Sequence, residues 1–236
     1  MNYLYLAVNM GAFLVPFIFS FHPKINFYKK WKFVIPAIIL SAIPFLIWDI
    51  YFTKQGVWGF SPVYVTGIYF LNLPIEEVLF FICIPYSCLF TYHCFNKLLL
   101  KDYFFKIEKA ITFLLLILLV VTAISNYEKL YTIYTFSLLA LILMIIKFIL
   151  NANWLSRFYF SYTILLLPFT IVNGILTGTG LNGPVVWYND QENLGIRILT
   201  IPFEDIFYGM LLFLLNTMIV ELLEKSTTAL KWNERG

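Results

Sequence analysis

Seven stretches of this chain are too apolar and too long to be left in water, and that decides its class before any motif is read. They run at about residues 3–21, 33–53, 70–95, 110–125, 130–150, 157–177 and 198–223, and about twenty apolar helical residues cross the hydrocarbon core of a bilayer. The fourth stretch is the shortest. A chain that is 61% hydrophobic and 12% charged, with a mean hydropathy of +0.83, leaves no material for a soluble domain. The connections are short, so the expected architecture is one all-α integral membrane bundle of seven helices. The first apolar run lacks a basic segment before it and a small-residue cleavage site after it, and is read as a retained helix. Cys83, Cys88 and Cys94 fall in one span with neither disulfide nor zinc spacing and are read as packing residues. The net charge of +3 is dispersed in short lysine clusters and predicts no nucleic-acid partner.

Those clusters orient the bundle. Lys24, Lys29, Lys30 and Lys32, then Lys97, Lys101, Lys106 and Lys109, then Lys147 and Arg157, then Lys225, Lys231 and Arg235 occupy alternate connections on one side. The other side holds Lys54, Lys129 and Arg197. Thirteen against three places the N-terminus outside and the C-terminus in the cytoplasm, in a multi-pass protein of the cell (inner) membrane. Spans 1–3 and 5–7 then run in the same directions with span 4 between them. This predicts two parallel three-helix repeats, residues 1–100 and 129–236, joined by a linking span within 101–128.

A repeated motif agrees with that division. Pro74-Ile75-Glu76-Glu77 returns 128 residues later as Pro202-Phe203-Glu204-Asp205, each at the outer end of the third span of its unit. A carboxylate in hydrocarbon costs about 2.5–3.5 kcal/mol at a helix centre, so two matched pairs point to a function. Proline suits a helix start or a local break, and acids in the following turn meet the positive end of the helix dipole. That interaction alone, at a wet interface, is the bland account of the motif. Apolar residues upstream, Ile68 to Leu71 and Ile196 to Leu199, argue for acids below the surface. Adjacent acids on a helix point about 100° apart, so one of each pair can face the interior while the other orients it or takes its proton. A carboxyl withdrawn from water beside a like charge holds its proton, which allows a neutral acid next to a carboxylate base. Phe80 and Phe81, then Phe207 and Tyr208, follow on roughly the same faces, and aromatic faces stabilise cations.

The run Leu73-Pro-Ile-Glu-Glu-Val-Leu-Phe-Phe81 resembles the first motif of the membrane-embedded, heterodimeric-type lycopene β-cyclases. The run Arg197-Ile-Leu-Thr-Ile-Pro-Phe-Glu-Asp-Ile-Phe-Tyr208 resembles their second, and Trp48-Asp49 and Pro184-Val-Val-Trp-Tyr-Asn189 add to the likeness. The chain looks like the form in which both halves are fused. The resemblance implies lycopene or a related acyclic carotenoid as a substrate dissolved in the bilayer and entering laterally between helices. Protonation of the terminal trisubstituted double bond gives a tertiary cation, the neighbouring double bond closes a six-membered ring, and proton loss yields a β-ionone ring. The net change is an isomerisation with no redox equivalent, no cofactor and no metal. On this reading Glu76, Glu77, Glu204 and Asp205 supply the acid and the base, in an order the sequence leaves open. Phe80, Phe81, Phe207 and Tyr208 line the cation's path. Expected partners are the carotenoid, membrane lipid, and either other carotenoid enzymes or a second copy.

Other polar residues carry weaker expectations. Asp49 and Asn173, near the ends of spans 2 and 6, can hydrogen-bond an acidic pair. Asn216 is expected to bond a neighbouring helix. His93 reads as interfacial and His22 as a loop residue, while Trp58, Trp187 and Tyr188 read as an interfacial belt. Asn189-Asp-Gln-Glu-Asn193 superficially resembles the magnesium-diphosphate motif of membrane prenyltransferases, but no second acidic cluster accompanies it. No Gly-x-Gly-x-x-Gly follows a strand, which removes the flavin-dependent type of cyclase. A retinal protein needs a mid-membrane lysine on its last helix, and residues 199–223 have none. The competing function is a proton-coupled small-molecule transporter of three-plus-one-plus-three helices, although the chain lacks the Pro-Gln breaks common in such carriers.

Overall fold

The computed structural model describes residues 3–233, which form seven α-helices and three two-stranded β-ribbons. Arg235, counted above among the cytoplasmic charges, lies outside the described residues. The helices are α1 (Leu4–Phe19), α2 (Trp31–Gln55), α3 (Ile75–Leu98), α4 (Glu108–Ser125), α5 (Leu130–Met144), α6 (Leu155–Leu176) and α7 (Phe203–Asn233). A 3₁₀ turn at Phe27–Lys30 leads into α2, and α5 runs on into a π-helical turn at Ile145–Ile149. Six helical segments are long and apolar enough to cross a membrane. The sixteen residues of α1 reach only about 24 Å.

Two expected spans begin too early. The third and seventh were placed from residues 70 and 198, whereas their helices start at Ile75 and Phe203. The residues before them form tight hairpins, β2 (Tyr69–Phe70) with β3 (Leu73–Pro74) and β5 (Arg197–Ile198) with β6 (Ile201–Pro202). Hydropathy cannot see the reason. Leu71 and Leu199 take positive φ and Pro74 is extended, and proline disfavours the helical region in the residue before it, so each apolar run is broken just upstream of its helix. The fourth span is expected to be the shortest; α4, with 18 residues, is the shortest of the six long spans, and among the spans only α1, with 16, is shorter.

The acid-bearing helices α3 and α7 pack side by side at the centre. α1 lies along α3 and α5 along α7, while the remaining pair crosses over, α2 against α7 and α6 against α3. α4 packs on α5 and is the most peripheral of the long helices. Phe136, Phe158, Phe213, Leu139 and Leu143 fill the interior without exposure to solvent above 1%. The outer faces are equally apolar. Ile39, Ile43 and Ile47 on α2, Leu114, Ile117 and Ile124 on α4, and Leu167 and Ile171 on α6 are all exposed. A surface of this kind is unstable against water and suits lipid.

The third ribbon ties the two halves together above the acids. β1 (Trp58–Phe60) follows α2, β4 (Val186–Tyr188) follows α6, and they pair antiparallel with Gly59 opposite Trp187. Ser61 N–H to Val185 O and Asn189 N–H to Val57 O, both 2.8 Å, extend the pairing. A small second core of Tyr5, Phe52, Trp58, Tyr131 and Val185 sits around this ribbon. A Cβ on Gly59 would overlap the Trp187 indole, so this position admits no side chain without a shift. Gly59→Val is expected to cost about 1–3 kcal/mol through overpacking, read as a lower thermal midpoint of the detergent-solubilised protein. An unchanged midpoint would contradict the close approach.

Candidate active site

The two acidic motifs share one backbone plan. Leu71 and Leu199 take positive φ, 56° and 58°, at the tips of their hairpins, and Gly67 and Gly195 do so one turn earlier. A leucine in that region costs of order 1 kcal/mol, and it recurs at the same place in both copies. Each hairpin closes onto the first residue of its helix, Ile75 N–H to Ile68 O at 2.8 Å and Phe203 N–H to Ile196 O at 2.9 Å. The acids therefore enter at the first turns of α3 and α7, with both of each pair in that turn.

Within each pair the first acid is a brace. Glu76 and Glu204 are both 0% exposed, and neither reaches the central cavity. Glu76 Oε1 accepts the Thr66 N–H at 2.6 Å and Glu204 Oε1 accepts the Leu194 N–H at 2.7 Å. Each holds the loop ten residues upstream against its own helix. Helix α1 adds the Asn9 amide, which donates to the Glu76 carbonyl at 2.7 Å. Helix α5 adds the Thr132 hydroxyl, which donates to Glu204 Oε1 at 2.6 Å.

The second acid of each pair faces a cavity of about 260 Å³ between α1, α2, α3, α5, α6 and α7. Glu77 accepts from the hydroxyl of Tyr5 in the first turn of α1. Asp205 Oδ1 accepts from the hydroxyl of Tyr131 in the first turn of α5 at 2.6 Å. Asp205 Oδ2 also accepts from the Asn173 amide at 2.8 Å and the Tyr188 hydroxyl at 3.1 Å. Asp49 lines the same cavity, 1% exposed, with Oδ1 held by the Trp58 indole N–H. The cavity thus holds three carboxyl groups, and among the described residues lining it there is no lysine, arginine or histidine. Phe80, Tyr208, Phe169 and Pro168 also line it, and Pro168 is exposed on the flank of α6.

Some sequence-predicted residues do not arrive at the cavity. Phe80 and Tyr208 line it and Phe81 and Phe207 do not. Phe81 packs against Phe45 and Phe80, and Phe207 against Phe136 and Phe203. Asp49 and Asn173 both reach it. Trp58 and Tyr188 are not belt residues, because their polar atoms have carboxyl partners that draw them inward; Trp187 alone of the three is exposed. Asn216 does not bond a neighbouring helix as expected: its amide donates to Leu212 O of its own helix at 2.8 Å, the i−4 carbonyl being within reach of the side chain. His93 holds Ile25 O at the opposite end of α3 from the acids. In the loop 189–193, Glu192 Oε2 accepts the first N–H of α5, Leu130, at 3.1 Å, and Asp190 pairs with Arg197 at 2.5 Å. Both acids there have structural partners. Tyr5, Tyr131, Asn9 and Thr132 were missed altogether. The signal that finds them is the repeat itself, because Tyr5 and Tyr131 open the helices that precede the two motifs by equivalent distances.

The lycopene cyclase family model matches residues 2–95 and 128–223. The chain belongs to the lycopene cyclase family. The two matched segments cover all or most of every helix except α4, which lies between them. Among curated proteins, a stretch of 73 residues is 34% identical to the bifunctional lycopene cyclase/phytoene synthase of Aspergillus niger, covering 31% of this chain and 12% of that protein. A stretch of 65 residues is 34% identical to the protein of the same description from Neurospora crassa, covering 28% of this chain and 10% of that protein. This lycopene cyclase family member thus spans only a small part of those relatives. No solved structure matches the chain.

The brace is testable apart from activity. Thr132→Val removes one of the two donors on the buried Glu204 carboxyl and is expected to destabilise by about 1–3 kcal/mol, seen as a fall in thermal midpoint. A midpoint equal to that of the parent would mean that the hydroxyl does not hold Glu204.

Proposed function

We propose that this chain is a lycopene β-cyclase of the membrane-embedded, heterodimeric type in its fused form. It converts the acyclic ends of lycopene to β-ionone rings, giving γ- and β-carotene, as an intramolecular lyase that needs no cofactor. The observation that carries this reading is the cavity with three carboxyl groups and no basic side chain. Such a site can give a proton to an alkene, hold the resulting cation among negative charge and aromatic faces, and take a proton back. A cavity of about 260 Å³ is below the usual range for drug-sized ligands, roughly 300–1,000 Å³. It suits one end of a forty-carbon polyene, whose remainder leaves past Pro168 into lipid. Glu77 and Asp205 are the acids that meet the substrate, Phe80 and Tyr208 face the cation, and Glu76 and Glu204 position their neighbours.

The same reading gives the architecture. Seven spans form two parallel three-helix repeats, residues 1–100 and 129–236, and α4 is the linking span within 101–128. The likeness of the two hairpins, the two braces and the two tyrosine–carboxyl pairs supports this division, as do the two separately matched segments. In the cell membrane the N-terminus lies outside and the C-terminus in the cytoplasm, with the basic connections at the opposite ends of the helices from the acids. The partners are the carotenoid and lipid, with other carotenoid enzymes or a second copy alongside.

Expression in lycopene-accumulating bacteria tests the function. Rings should form, as γ- or β-carotene, in cells carrying the parent chain. Glu77→Gln and Asp205→Asn should each reduce ring formation by at least about 100-fold, the lower range for a positioned acid or base, with the protein still in the membrane. Unchanged lycopene with the parent chain, or full ring formation by both variants, would refute the proposal.

A further inference from the structure

We propose that Asp49 and Glu77 act as one proton-donating unit, and that Asp205 is the base that completes ring formation. This rests on the cyclase reading and adds the direction of proton flow across the site. It also brings in Asp49, which belongs to neither acidic motif.

The partners of the two cavity-facing motif acids differ in kind. Asp205 receives three donors, the hydroxyls of Tyr131 and Tyr188 and the Asn173 amide. Three hydrogen bonds to a carboxyl group stabilise its charged form. A carboxylate held on both oxygens is a weak nucleophile, so it does not capture the cation as an ester. It remains base enough to take a proton from carbon beside a cationic centre. Glu77 receives one donor, the Tyr5 hydroxyl, and its other neighbour is the carboxyl group of Asp49, within hydrogen-bonding reach. Asp49 Oδ1 is held by the Trp58 indole N–H, and the Thr53 hydroxyl lies close to the carboxyl group without completing a hydrogen bond to Oδ2. Two buried carboxyl groups in contact, with no basic side chain lining the cavity, attract each other only when a proton lies between them. The Asp49–Glu77 pair is thus the place where a transferable proton is stored.

The halves diverge at one position that decides this. Asp49 lies in the last two turns of α2 and Asn173 in the last turn of α6, and each faces the second acid of one motif. The amide at 173 can donate to Asp205, whereas the acid at 49 can only share a proton with Glu77. The proton of the Asp49–Glu77 pair bonds to the CH carbon of the terminal trisubstituted alkene using the π electrons, leaving the other alkene carbon as a tertiary cation. The second double bond supplies the electrons of the new carbon–carbon bond. Asp205 removes one proton, and the electrons of that carbon–hydrogen bond become the ring double bond. One proton is given and one taken, and the cycle closes when Asp205 releases its proton and the pair takes one up.

The test uses bacterial membranes containing the full chain or its variants, incubated with lycopene in D₂O, with mass spectrometry of all recovered carotenoid. Parent membranes should form rings carrying solvent deuterium. Asp205→Asn should stop normal β-ring formation yet still label carotenoid. The label should appear in returned lycopene, where the cation has lost protium in place of deuterium, or in rings with a displaced double bond. Glu77→Gln and Asp49→Asn should leave lycopene both uncyclised and unlabelled, with labelling at least about 100-fold below that of Asp205→Asn. Label with Glu77→Gln and none with Asp205→Asn would reverse the assignment. Label in neither, with an active parent, would overturn the division of roles, and normal turnover by Asp49→Asn would remove Asp49 from the donating unit. Absence of rings with the parent chain would instead refute the cyclase reading itself.

Discussion

Three carboxyl groups face one apolar cavity with no basic side chain to balance them, and the surrounding architecture can be understood as what makes that tolerable. Burying a charge is costly unless it is hydrogen-bonded or paired. The donors here are hydroxyls, an amide and an indole, drawn from α1, α5, α6 and both strands of the ribbon β1–β4. None of these carries a positive charge. Each of the three carboxyl groups has at least one donor while the countercharge is missing, a condition that suits a positively charged intermediate and suits few other ligands.

The supports follow from that need. Each motif acid that meets the cavity is preceded by one that does not, and the preceding acid fixes the loop entering its helix. The ribbon then links both ends of the cavity wall, since Trp58 on β1 holds Asp49 and Tyr188 on β4 holds Asp205. Misplacing one strand would loosen carboxyl groups on both sides. The two motifs thus share their hairpins and braces but differ at the residue facing the second acid, Asp49 in one case and Asn173 in the other.

Much of this was legible in the sequence, and the rest failed for identifiable reasons. Apolar length gave the helices, and the spacing of Glu76-Glu77 and Glu204-Asp205 gave the acids and their common depth. The starts of α3 and α7 were misplaced because hydropathy averages across Pro74 and Pro202 and is blind to backbone conformation. Trp58 and Tyr188 looked like belt residues because type and position in the chain do not show which way a side chain turns. The division of labour within each acid pair depended on partners 72 and 74 residues away, Tyr5 and Tyr131. Only a fold brings those partners together.

A cavity prepared for positive charge should bind a cation mimic in preference to a neutral molecule of the same shape. The probe is an acyclic polyene end bearing a tertiary amine, protonated at neutral pH, compared with its neutral carbon isostere by displacement from the purified protein. The account predicts that the amine binds at least about 100-fold more tightly, the lower bound for analogues of a charged transition state, and that Asp205→Asn sharply reduces this preference. Equal binding of amine and isostere would contradict it.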